Sequence, residues 1–126
     1  MLILSKYIVK HELNPLGRAL DINDIIRGAR KVIEGLATEI KPPQTNYGFR
    51  YFKVRIGKTN QMRMIVFLIS ANQKIVPILV RKKKDKIFGM NMAMNNKIVV
   101  SQINKNLNKI IDDIKNGDFE EIKFGR

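Results

Sequence analysis

Between Phe49 and Arg81 the chain holds three apolar, β-branched runs separated by only two short polar breaks, which confines this stretch to strands joined by tight turns. The spacing predicts strands over residues 49–56, 62–70 and 74–81, joined by turns at 57–61 and 71–73. Their natural arrangement is an antiparallel meander. Pro77 falls inside the third run, where it has no N–H to give a ladder, so it predicts either an edge position or a bulge.

Helical periodicity flanks this sheet. From Asp21, placed as an N-cap, Ile22, Ile25, Ile26, Ala29, Val32, Ile33, Leu36, Ala37 and Ile40 recur at steps of three and four and predict a helix reaching Ile40. Pro42-Pro43 stops it, and residues 44–48 read as a loop. Val100, Ile103, Leu107, Ile110, Ile111 and Ile114 predict a second helix, stopped at Asn116-Gly117. Residues 1–13 read as an opening strand, broken at Asn14-Pro15, and residues 118–124 as a short closing one. The expectation is a small α+β domain over residues 1–126: an N-terminal strand plus a three-stranded meander, packed on an N-terminal helical segment, with a C-terminal helix.

The charge is unevenly placed. Twelve of the twenty-four Lys and Arg residues lie between Lys41 and Lys86, beside a single acid, Asp85, while both flanks are nearly neutral. A net +13 confined largely to one segment implies a surface facing an anion, and the expected anion is a polyphosphate backbone. Cysteine is absent, which rules out a disulfide scaffold or thiolate zinc site, and His11, the one histidine, reads as a surface or strand-end residue. No cofactor or metal is expected. The first ten residues read as neither signal peptide nor membrane span, so a cytoplasmic protein is expected.

Strand alternation places the cations. Phe52, Val54 and Ile56 should face a helix, leaving Tyr51, Lys53 and Arg55 in a row on an open face, ring beside cation as in nucleic-acid surfaces. Arg63 opens the next strand, and the third runs into Arg81-Lys82-Lys83-Lys84-Asp85-Lys86. Such a set needs no metal to cleave RNA, because the ribose 2′-hydroxyl is an internal nucleophile. The protein has only to orient the chain, accept a proton, neutralise charge on phosphorus and assist the leaving 5′-oxygen. Arginine suits the phosphorus centre because it binds phosphate bidentately.

The stretch FRYFKVRIGKTNQMRMIVFLISANQKIVPILVRKKKDK resembles the core of the RelE/HigB-type toxins of type II toxin-antitoxin systems, ribosome-dependent mRNA endonucleases of the RelE/ParE superfamily. The pattern is Lys53-Val54-Arg55-Ile56, then Arg63 followed by Met64 to Phe67, then Val80 to Lys84. The resemblance implies a RelE-like fold and a catalytic set of Lys53, Arg55, Arg63, Arg81 and Lys82. In that set Lys53 and Arg55 lie near the 2′-hydroxyl, with Lys53 the better base, Arg63 clamps the scissile phosphate, and Arg81 or Lys82 stabilises or protonates the leaving group. It implies RNA binding by Tyr51, Lys58, Lys83, Lys84, Lys86 and Phe88. Phe88 stands where many members carry a stacking tyrosine, so any acid role at that position is lost. The implied partners are mRNA, the ribosome and a cognate antitoxin, with which an oligomer forms; Met90, Met92 and Met94 read first as core or loop packing and otherwise as an adaptable contact surface for it. Two alternatives stay open: a ParE-like inhibitor of DNA gyrase, and a non-catalytic RNA- or ribosome-binding module.

Overall fold

The computed structural model describes residues 1–41, 49–85 and 96–124. The opening strand is shorter than expected: β1 covers Leu2–Ser5 and then turns into helix. The hydroxyl of Ser5 accepts the Ile8 N–H at 3.2 Å, capping a short α1 (Lys6–Ile8) that continues as a π turn over Val9–Leu13 and a 3-10 segment over Asn14–Ala19. Distant groups hold the bend, since Tyr7 donates its N–H to the Asp113 carboxylate at 2.8 Å and Lys6 donates to the Asp118 carbonyl at 2.9 Å. Periodicity alone cannot register such contacts. His11 therefore sits on a helical turn, its ring 4.2 Å from that of Tyr7.

Helix α2 spans Ile22–Ile33 and begins with a capping box, Asp21 accepting the Asn23 N–H while Asp24 accepts the Asp21 N–H. It ends seven residues before Ile40. Gly35, at φ 77°, takes the left-handed conformation that closes the helix, with the Leu36 N–H returning to the Lys31 carbonyl at 2.8 Å. The released residues form β2 (Thr38–Ile40), whose register sets Ile40 opposite Tyr51.

The meander forms as the spacing predicts, with β3 at Arg50–Ile56, β4 at Met62–Ile69 and β5 at Lys74–Lys82, followed by α3 (Lys97–Asn116), capped at Gly117, and β6 (Phe119–Ile122). These strands make one open six-stranded sheet in the order β2-β3-β4-β5-β1-β6, antiparallel except where β1 runs alongside β5. The molecule is thus an α+β protein. Among the described residues no helix is long and apolar enough to cross a membrane.

Helices cover both faces of the sheet. On one, Ile25, Ala29 and Val32 of α2 pack on Phe52, Val54, Ile56, Met64 and Val66. On the other, Val99, Ile103, Leu107 and Ile110 of α3 pack on Tyr51, Ile65, Phe67, Ile78 and Leu79. The face expected to be open is therefore a second core. Tyr51, 3% exposed, lies within it beside the stacked pair Phe49 and Phe67 and offers no ring for stacking a base.

Candidate nucleic-acid interface

Pro77 decides which basic residue of β5 joins those of β3 and β4. Phe67 pairs with Val76 and Val66 with Pro77, but Ile65 pairs with Leu79, so Ile78 is an extra residue and the register steps by one. A proline with no N–H to lose is well suited to that bulge. Because the step reverses which face each later residue takes, Arg81 becomes the partner of Arg63, and Arg63 is in turn the partner of Arg55. Without it Arg63 would face Val80. Three arginines thus lie in one row across three adjacent strands, on the α3 face, with Lys53 two residues along β3 on the same side.

Each member has a different environment. Arg55 is exposed. Arg63 is only 6% exposed; it donates to the Asn60 carbonyl at 3.2 Å, and among the described residues no carboxylate pairs with it. Burial, and then the neighbouring Arg55 cation, push its guanidinium below its ordinary pKa. Like charges in register repel, so this row is held against its own field by the surrounding fold. The turn that supplies the Asn60 carbonyl is itself strained, with Thr59 at φ 55° and Asn60 at φ 56°, both non-glycine residues in the left-handed region.

Arg81 is anchored by a residue outside the basic segment. Glu12, 2% exposed, accepts from the Arg81 guanidinium and from the Val80 N–H with one carboxylate oxygen, and from the Asn106 amide with the other, at 3.2 Å. The Val80 bond has a clear cause. β1 pairs with β5 only near Ile75, so farther along β5 an outward N–H lacks a strand partner, and Glu12 takes its place. Asn106 also donates to the Ile78 carbonyl at 2.8 Å, tying α3 to the bulge. Periodicity missed Glu12 and Asn106, which come together with Arg81 only when residues far apart in sequence meet. No local signal marked Glu12, which follows Lys10 and His11 and so has ordinary partners in reach along the chain.

The remaining basic residues lie elsewhere. Lys82, grouped with Arg81 from the sequence, faces the opposite side of the sheet, opposite Met62 on the α2 face. There it lines a cleft of about 940 Å³ together with Lys58, Lys83, Lys84 and Arg18, the last contributed by the 3-10 segment. Lys86, Phe88, Met90, Met92 and Met94 lie outside the described residues, as do Pro42-Pro43 and residues 44–48. Comparison with family models, curated proteins and solved structures finds no match to this chain.

Proposed function

We propose that the chain is a metal-independent endoribonuclease of the RelE/HigB kind, cleaving mRNA on the ribosome and held in check by a cognate antitoxin. The observation that carries the reading is Arg63, nearly buried between Arg55 and Arg81 with no carboxylate partner among the described residues. A guanidinium removed from water without a counter-ion costs several kcal/mol, and an incoming phosphate supplies that counter-ion.

In this reading Arg55 and Arg63 hold the non-bridging oxygens of the scissile phosphate. Lys53 serves as the base that takes the proton from the ribose 2′-hydroxyl. The 2′-oxygen bonds to phosphorus, the bond from phosphorus to the 5′-oxygen breaks, and that oxygen takes a proton from solvent water, leaving a cyclic phosphate and a 5′-hydroxyl while Lys53 returns its proton to solvent. Arg81, fixed by Glu12, stabilises charge on the leaving oxygen, while Lys82 on the opposite face takes no part in the chemistry.

The test is expression of the protein and its Lys53→Ala and Arg63→Ala variants, followed by mapping of new 5′-hydroxyl ends on translating ribosomes. Removing one donor that stabilises developing charge lowers such rates about 10²–10³-fold, and Arg63→Ala is expected to fall in that range. Growth arrest without new ends overturns the endonuclease reading, and arrest with altered DNA supercoiling replaces it by gyrase inhibition.

A further inference from the structure

We propose that the cleft on the α2 face is a second binding site for the same RNA, holding the backbone phosphates of nucleotides beyond the scissile bond after the strand has crossed the end of the sheet. The inference rests on the arginine row being the place where RNA is cut. Among the described residues five cations line the cleft, Arg18, Lys58, Lys82, Lys83 and Lys84, and none of them is in an ion pair there.

The two acids in the lining are already engaged. Asp21 accepts the Asn23 N–H at 2.9 Å; Asp24 accepts the Asp21 N–H at 3.0 Å with one oxygen and pairs with Arg27 through the other. Their charge is directed into the start of α2 and towards Arg27, so the cations set the field of the cleft.

Position joins this cleft to the arginine row. Arg81 and Lys82 are successive residues of one strand facing opposite sides, so the end of β5 is a wall with a phosphate site on each side. The strained turn carrying Lys58 and Thr59 caps the same end and is fastened to it by the Lys83 N–H, which donates to the Gln61 carbonyl at 2.7 Å. A single strand leaving Arg63 and Arg81 therefore meets Lys82 to Lys84 next. Among the described residues none that lines the cleft is aromatic, so those residues grip backbone without stacking bases, and their preference is for length of strand over sequence.

Non-cleavable 2′-O-methyl RNAs, a trinucleotide and a dodecanucleotide, provide the probes, with fluorescence anisotropy as the readout. Combining Lys58→Ala, Lys83→Ala and Lys84→Ala is expected to weaken dodecanucleotide binding at least tenfold and to reduce its salt slope by about 2, from roughly 0.7 per lost phosphate contact. The trinucleotide is expected to bind as before, and the triple exchange to arginine to restore the dodecanucleotide. Equal weakening of both lengths, or none of the longer, overturns the proposal. So does displacement of the dodecanucleotide by inorganic phosphate or a mononucleotide at concentrations comparable to the protein, which assigns the cleft to a small anion. If Arg63→Ala leaves the trinucleotide unaffected while the triple variant still weakens the dodecanucleotide, the cleft stands and the arginine row is not where RNA is held.

Discussion

The carboxylate of Glu12 accepts a backbone N–H, a guanidinium and an amide in a place closed to water, so its replacement leaves three donors to find new acceptors. Glu12→Gln keeps the shape but turns an NH₂ towards one of those donors, and it is expected to cost about 1–3 kcal/mol of stability. Glu12→Leu, which abandons all three, should cost more. Urea unfolding measures both, and an unchanged midpoint for Glu12→Leu would show that the network does not hold the fold together. At this scale the basic residues were legible in the sequence, because a strand-opening Arg63 with no acid nearby already points to an anion. Their anchor was not: Glu12 lies 69 residues from Arg81, on a turn that the apolar, β-branched opening of the chain makes read as strand.

At the scale of elements, α2 rests on β3 through Gly28. A Cβ built there would lie 2.5 Å from Cγ2 of Ile56 and 2.8 Å from Cε of Met64. The Met64 methyl is the end of a flexible chain and can yield, but the Ile56 methyl is on a β-branched side chain in a strand and cannot. Gly28→Ala should therefore destabilise by about 1–3 kcal/mol despite alanine's advantage of about 1 kcal/mol in a helix, as overpacking outweighs propensity. Chemical denaturation gives the sign, and a more stable variant would mean that the helix can lift off the sheet. Pro77 belongs to the same scale. Its lack of an N–H announces an irregularity, but only the pairing of β4 with β5 shows that the extra residue moves Arg81 into line with Arg63.

Across the whole molecule the flanks supply acids that the basic segment lacks. Glu39 meets Arg50 at 2.9 Å, Glu121 meets Lys74 at 3.6 Å, and Glu12 meets Arg81. The hydrogen bond from Arg50 holds the Glu39 carboxyl below the usual carboxylate range. Arg55 and Arg63 on one face and the cleft cations on the other gather at one end of the sheet. A single-stranded RNA at a hundred times its Kd should add about 2.7 kcal/mol of stability, visible as a rise in Tm of several degrees. The rise should shrink towards zero near 1 M salt, and one that persists there would rule out a phosphate clamp. Turn residues, periodicity and composition act over a few neighbours, so the meander, the Asp21 N-cap of α2 and the segment that carries the charge could be read from the amino acids alone. The burial of Tyr51 under α3, the turning of a long periodic pattern into β2 at Gly35, and the placing of Arg81 and Lys82 on opposite faces came from packing and pairing. Those outcomes depend on strand register and on contacts between distant residues, which no local pattern encodes.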